Sequence, residues 1–148
     1  MQVQNEMKLQ MESRSVNEAY ARVAVSAFAA SLDPTVEELN DIKTAVSEAV
    51  TNCIVHAYRN AVGKIYITVK ILENGVVQIT VRDRGCGIAD VKKAREPLFT
   101  TLGGDRAGLG FSVMESFCDR VRVRSVVGAG TTVTLQKQIR GRGASFDA

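Results

Sequence analysis

Residues 64–83 read KIYITVKILENGVVQITVRD, and this stretch decides the fold because it predicts a β-hairpin. Apolar and polar residues alternate on both sides of Asn74 and Gly75, so each strand has one apolar face. An Asn-Gly pair readily adopts positive φ at both positions, which predicts a two-residue turn. The alternation ends at Asp83, where we expect the second strand to end.

A strand and a helix are predicted at the start of the chain. Residues 3–12 alternate in the same way, which indicates a half-buried strand. Ser15 is a suitable N-cap for a first helix that runs to about Leu32. The predicted apolar side of this helix consists of Val16, Tyr20, Val23, Ala27 and Phe28.

A second helix is predicted from Thr35 to about Arg59. Asp33-Pro34 ends the preceding helical pattern, and Thr35 with Glu38 forms the pattern of a capping box. Its predicted core stripe consists of Leu39, Ile42, Val46, Cys53 and Ala57.

The rest of the chain completes an α+β pattern. Residues 84–107 form a glycine-rich, charged loop with a short polar helix near residues 90–95, and a loop this long is usually functional or mobile. A helix over about 109–118 and strands near 120–126 and 131–138 follow. This order predicts a two-layer α+β sandwich, with about three helices covering one face of a mixed, mainly antiparallel sheet. We expect one domain over residues 1–140 and a flexible tail over 141–148.

The composition is that of an ordinary globular protein, with 45% apolar and 24% charged residues. The sequence has no apolar run of about 18 residues, the length needed to cross a bilayer. The N-terminal residues do not resemble a signal peptide, so we expect a cytoplasmic protein that does not contact a membrane. Three cysteines without a CxxC pair and a single histidine do not support a zinc or thioredoxin-like site.

The charge balance does not favour nucleic-acid binding. Nineteen basic and 16 acidic residues give a formal charge of only +3. Arg120, Arg122 and Arg124 alternate with valines, so on a strand they share one face, which we interpret as a solvated sheet face or edge. The sequence has no Trp and only 5% aromatic residues, which leaves little for stacking on bases.

The second helix carries the first candidate chemistry. Glu48, Asn52 and His56 are spaced four apart and therefore lie on one side of a helix. For such a stripe alone, a solvated helix face is the favoured explanation. A carboxylate and a carboxamide one turn apart can also polarise a hydroxyl group and bind Mg²⁺ through oxygen.

Three glycine-rich segments carry further candidate chemistry. DRGCGI (83–88) follows a strand directly, RAGLGF (106–111) opens a helix, and GAGTTV (128–133) enters the last strand. Glycines allow a ligand to approach the backbone closely, and a helix N-terminus attracts phosphate. Each segment alone is equally consistent with an ordinary turn. The P-loop and Rossmann patterns do not occur.

SEAVTNCIVHAY (47–58), DRGCGI, RAGLGF and GAGTTV, taken in this order, resemble the four nucleotide boxes of the GHKL ATPase superfamily. This group includes gyrase B, MutL and the sensor histidine kinases. A chain of this length with EAVTN, PLFTT and GLGF most resembles its branch of bacterial anti-sigma serine kinases.

The resemblance implies ATP or ADP as ligand, with Mg²⁺. It assigns Glu48 as the general base and Asn52 as the residue that holds Mg²⁺, while Asp83 reads adenine. The nucleotide-binding set that it implies is Asn52, Asp83, Gly85, Gly87, Arg106, Gly108, Leu109, Gly110 and Thr131. Relatives often carry Lys where this chain has Leu102, so Arg106 is a candidate replacement for that phosphate contact.

The resemblance also implies protein partners. Members of the branch phosphorylate a serine of a small anti-anti-sigma protein, and they bind a sigma factor, including those of sporulation, as homodimers. Arg22, at i,i+4 from Glu18, is either half of a surface ion pair or a contact to such a partner.

Three other functions fit parts of the pattern. A non-catalytic module that only switches partners with ATP or ADP would need the same pocket. A sensor histidine kinase fragment would need a phosphoacceptor His on a dimerisation helix, whereas His56 lies inside the second helix. A DNA-topology or mismatch-repair ATPase would need further domains.

Overall fold

A five-stranded antiparallel sheet forms one layer of the structure, a computed structural model that describes residues 2–59, 61–96 and 110–141. Its strands are β1 (Val3–Glu12), β2 (Lys64–Leu72), β3 (Val76–Asp83), β4 (Arg120–Val126) and β5 (Gly130–Gln138). Their order across the sheet is β1-β2-β3-β5-β4.

Each of the four strand pairs is antiparallel, which refines the predicted mixed sheet. β3 and β4 run in the same direction, but β5 lies between them, so no parallel pair forms among the described strands. The predicted two-layer α+β sandwich is confirmed.

The second layer contains four helices within the described residues. They are α1 (Val16–Ala29), α2 (Val36–Thr51), α3 (Val91–Ala94) and α4 (Phe111–Phe117). α1 continues as a 3-10 turn (Ala30–Leu32), and α2 continues as a π-helical turn (Asn52–Ala57). The core lies between the layers, where Ile42 and Val46 of α2 are buried with the inward residues of the sheet.

The turn between β2 and β3 is one residue longer than predicted. Asn74 and Gly75 do adopt positive φ, at 67° and 76°. Leu72 pairs with Val76, however, so the connection Glu73–Gly75 holds three residues.

The predicted apolar side of α1 is wrong except at Phe28, which packs against the core. Val16, Tyr20 and Val23 are 62%, 63% and 58% exposed. The buried residues of the helix are Ala21, Val25, Ser26 and Ala29. α1 packs against α2, and small side chains at the contact allow the two helices to approach closely, so size decides which face is buried.

The predicted capping box of α2 is confirmed and does more than begin the helix. Thr35 Oγ1 accepts from the Glu38 N–H at 3.0 Å, and Glu38 Oε1 accepts from the Thr35 N–H at 2.9 Å. Glu38 also accepts from the N–H groups of Arg140 and Gly141, at 2.7 and 3.1 Å. Burial acts to raise the pKa of Glu38, but these N–H donors outweigh it and the pKa is lowered. One carboxylate therefore joins the chain after β5 to the start of α2.

Two further sequence predictions concern the C-terminal tail and membrane-spanning helices. The predicted flexible tail lies outside the described residues from residue 142 onward, so it stays a prediction. In the ranges that the structure describes, no helix combines the length and the apolar character needed to cross a membrane.

Candidate functional site

A cavity of about 390 Å³ opens between the end of α2 and the carboxyl end of β3. Its apolar wall consists of Ala49, Val81, Ile88, Ala94, Phe111 and Val133. Its polar lining includes Asn52, His56, Arg59, Asp83, Lys93 and Thr131. The cavity therefore combines an apolar interior with a few polar groups, as small-ligand sites commonly do.

The π-helical turn at the end of α2 presents Asn52 to this cavity. The Asn52 N–H still bonds to the carbonyl of Glu48, so the predicted one-turn spacing of these two residues holds. From Cys53 the turn widens, and the Tyr58 N–H bonds back to the Cys53 carbonyl at 3.2 Å. His56, which lies inside the wide turn, also lines the cavity. Such local π turns within α-helices often occur at functional sites.

Asp83 is the buried charged group of the cavity, with 6% of its surface exposed. Its Oδ1 accepts from the N–H groups of Gly85 at 2.9 Å and Thr131 at 3.2 Å. Its Oδ2 accepts from the Cys53 thiol, with sulfur and oxygen 3.6 Å apart. A thiol is a weak donor, so Oδ2 keeps capacity to accept a bond from a ligand. Burial raises the pKa of Asp83, while its N–H and thiol donors act to lower it.

Cys53 and Ser125 are site residues whose roles the sequence analysis missed. Cys53 is 2% exposed, and burial followed by the Asp83 charge raises the pKa of its thiol well above the usual range. Ser125 Oγ accepts from the Ile88 N–H at 2.7 Å and lies 2.8 Å from the Thr131 hydroxyl. Ser125 lies at an inward position of β4, where the alternation predicts an apolar residue. A polar residue at this inward position was the sequence signal for its role.

Gly85 and Gly87 shape the loop that follows Asp83. Gly85 packs so closely against the carbonyl of Ala57 that a side chain would clash with it. Gly87 has φ of +78°, and a Cβ there would overlap the carbonyl of Val126. The Gly128 N–H donates to the Cys86 carbonyl at 2.8 Å and joins this loop to the β4–β5 turn.

Gly110 lies against Glu48 at the start of α4. Its φ is +70°, and a Cβ added there would lie 2.5 Å from Glu48 Oε2. The glycine therefore allows the backbone before α4 to reach the carboxylate. The other predicted residues of this segment, Arg106, Gly108 and Leu109, lie outside the described residues, as does Leu102.

The predicted residues are thus brought together around two ends of one site. At one end, the buried acceptor Asp83 is bonded by Gly85 and Thr131, and Gly87 lies in the same loop as Gly85. At the other end, Glu48 and Asn52 lie near the end of α2, and Gly110 packs against Glu48. Arg22 is separate from the cavity lining, and on α1 its guanidinium lies 3.2 Å from Glu18 Oε2. The same Glu18 oxygen accepts from Ser47 at 2.7 Å, which connects this ion pair to α2.

The side-chain oxygens near the end of α2 suit Mg²⁺ bound together with phosphate better than they suit a metal ion bound by protein ligands alone. The described residues contain no cluster of three His, Cys, Asp or Glu side chains able to hold a metal ion. Mg²⁺ in phosphate-binding sites commonly takes one or two protein oxygens and completes its shell with phosphate and water. The amide oxygen of Asn52, which lines the cavity one helical turn after Glu48, fits that requirement.

Comparison with known proteins gives concordant results. Residues 11–137 match the family described as histidine kinase-like ATPase domain. A Caldanaerobacter subterraneus protein named Anti-sigma F factor is 56% identical over 140 residues, which cover 94% of this chain and 97% of that protein. A Geobacillus thermodenitrificans protein of the same name is 54% identical over 138 residues, covering 93% and 94%.

A solved structure shows the same fold. The RsbU and RsbW domains of a Mycobacterium tuberculosis protein superpose with a TM-score of 0.68 at 20% identity. The match covers 91% of this chain and 32% of that one.

Replacing Asp83 with Asn tests how burial affects its charge. Because the pKa of Asp83 is raised in the folded state, folding favours the protonated form. The contribution of Asp83 to the free energy of unfolding therefore falls as pH rises from the ordinary Asp pKa through the raised one. Asp83→Asn has no such titration and keeps an oxygen for the N–H groups of Gly85 and Thr131.

We expect the difference in unfolding free energy, variant minus wild type, to increase over this pH interval. Urea unfolding of both proteins across the acidic range measures it. A difference that stays constant with pH would contradict the conclusion that the pKa of Asp83 is raised in the folded state.

Proposed function

The chain belongs to the histidine kinase-like ATPase domain family, and we propose that it is an anti-sigma factor and protein serine kinase. In this proposal it binds ATP with Mg²⁺ in the cavity, phosphorylates a serine of a small anti-anti-sigma protein and inhibits a sporulation sigma factor. The observation that carries the proposal is one largely apolar cavity lined by a buried acceptor, Asp83, and by Asn52, with Glu48 one helical turn before Asn52 on α2.

The Asp83 end suits adenine. The apolar wall fits a flat base, and Asp83 Oδ2 can accept a hydrogen bond from the exocyclic amine. Two backbone N–H groups hold the other carboxylate oxygen, so the acceptor is oriented before the ligand arrives. Thr131 supports the same end, because its N–H bonds Asp83 and its hydroxyl contacts Ser125.

The Glu48 end suits phosphoryl transfer. Glu48 accepts the proton of the substrate serine hydroxyl while the serine oxygen bonds to the γ-phosphorus. The bond between the γ-phosphorus and the bridging oxygen of the β-phosphate breaks, which releases ADP. Asn52 holds Mg²⁺, which neutralises phosphate charge when bound. Gly110 allows the start of α4 to approach Glu48. The sequence resemblance is the support for proposing that Arg106, Gly108 and Leu109 bind the phosphates.

The protein partners are proposed from the relatives and from α1. The two relatives described above are named anti-sigma factors and match nearly the whole chain. α1 exposes the apolar side chains of Val16, Tyr20 and Val23 on one side, and Arg22 lies partly exposed on another side, paired with Glu18. Exposed apolar residues and arginines are both typical of protein interfaces. We propose that Arg22 contacts a protein partner, and that the chain acts as a homodimer in the cytoplasm.

Glu48→Gln tests the kinase chemistry. It removes the base and keeps the shape, so we expect phosphate transfer to fall by about 10²- to 10⁴-fold while ATP affinity changes little. The measurement incubates each protein with γ-labelled ATP, Mg²⁺ and a lysate of the source organism, and identifies phosphoserine in the labelled product. Glu37→Gln, an exposed substitution in the first turn of the same helix, is the matched control.

Two outcomes would overturn parts of this proposal. Equal labelling by wild type and Glu48→Gln would contradict the assignment of the base. ATP binding without any transferred label would leave the non-catalytic module, which switches partners with nucleotide, as the function.

Arg22→Ala tests the partner surface. Arginines at the centre of an interface commonly contribute enough that truncation costs about tenfold in affinity. We expect that loss for a purified sporulation sigma factor, measured by calorimetry in the presence of ATP, with unchanged ATP affinity. Arg14→Ala, which breaks the 3.0 Å pair with Glu12 before α1, is the control. Equal sigma-factor affinity of the two variants would exclude Arg22 from the interface.

A further inference from the structure

The face of the sheet opposite the helices carries two cross-strand rows that contain cations but no carboxylate. The strand register aligns the first row as Lys8, Thr68, Thr80, Thr134 and Arg122. It aligns the second as Gln10, Tyr66, Arg82, Thr132 and Arg124. We call these ten residues the basic rows.

The cations of the basic rows are not neutralised by neighbouring acids. In the parts of the chain that the structure describes, Lys8, Arg82, Arg122 and Arg124 form no ion pair, and neither does the adjacent Arg84. The nearby Lys64 and Lys70, in contrast, are paired with Glu12 and Glu6. The unpaired positive charge is therefore concentrated across the middle and the β4 edge of the sheet.

Three of the arginines, Arg82, Arg84 and Arg124, line two adjoining clefts. One cleft of about 290 Å³ is lined by Arg82, Arg84 and Arg124 at the end of β3. The other, of about 510 Å³, is lined by Lys8, Tyr66 and threonine hydroxyls, and it shares Arg82 with the first. The guanidinium carbons of Arg82 and Arg84 lie 4.8 and 5.0 Å from the centre of the Tyr66 ring. This stacking orders two like charges that would otherwise repel each other.

We propose that the basic rows are a docking surface for an extended, Asp- and Glu-rich segment of a protein partner. Guanidinium groups bind carboxylates through paired hydrogen bonds, and the threonine hydroxyls between them offer further donors. Five adjacent strands span roughly 19 Å from β1 to β4, which suits about six extended residues rather than a single ion. The proposal rests on the proposed function only in that the partner is a protein.

A nucleic acid fits this surface less well. Single-stranded nucleic acids stack bases on free aromatic rings, but the Tyr66 ring already stacks with two arginines. A purely protective role for the arginines is the second competing explanation, because β4 is an edge strand and charges on edge strands prevent sheet-to-sheet aggregation.

The test uses the full chain and a fluorescein-labelled polyglutamate peptide, with binding followed by fluorescence anisotropy. The variant is Arg122→Gln/Arg124→Gln, since both side chains are exposed on β4 and neither lies in the proposed nucleotide site. The matched control is Lys92→Gln/Arg140→Gln, which removes the same charge elsewhere. Thermal unfolding and ATP affinity of each protein are measured in parallel, so that a failure of folding or of nucleotide binding is recognised separately.

We expect wild type and control to bind the peptide with similar affinity, and the β4 variant to bind about tenfold more weakly. Added salt should weaken the wild-type complex. Equal losses in variant and control, or no peptide binding, would overturn the proposal, and aggregation of the β4 variant would then identify edge protection as the role of the arginines. Tighter binding of a single-stranded oligonucleotide of matched length would overturn it in favour of nucleic acid.

Discussion

The carboxylate of Asp83 is the group on which the arrangement of the site depends. A buried charge requires donors, and three separate segments supply them: the loop after β3 through Gly85, β5 through Thr131 and the π-helical turn through Cys53. Each donor comes from a segment that also lines the cavity. Satisfying one buried charge therefore fixes the distance between the helix layer and the end of the sheet, and leaves one oxygen able to accept a bond from a ligand.

The second end of the site follows from how α2 is held. Glu38 fixes the start of the helix to the chain after β5, and the π-helical turn adjusts its end so that Asn52 and Cys53 both face the cavity. Glu48 lies one turn earlier and meets Gly110, where a side chain would not fit. The same helical segment thus carries Glu48 and Asn52, proposed for phosphate transfer, and contacts Asp83, proposed to read the base, through the Cys53 thiol.

Much of this could be predicted from sequence. The alternation of apolar and polar residues predicted the strands, and the Thr35–Glu38 pair predicted the start of α2. The resemblance to four nucleotide boxes predicted residues that lie close together in the structure, apart from those outside the described ranges. The errors have physical causes. α1 buries its small residues because close packing on α2 outweighs side-chain hydrophobicity, and no local pattern predicts a π turn at Asn52. Cys53 and Ser125 act through contacts to residues far away in sequence, which periodicity does not reveal.

The central claim is that this cavity binds the base of an adenine nucleotide through Asp83. Calorimetric titration of the full chain with ATP and with GTP, both with Mg²⁺, tests it most directly. Adenine carries an amine where guanine carries a carbonyl oxygen, and an oxygen facing a buried carboxylate leaves both acceptors without a donor. We expect ATP to bind about tenfold to hundredfold more tightly than GTP. Equal affinities for the two nucleotides would contradict the role of Asp83 and the orientation of the nucleotide that follows from it.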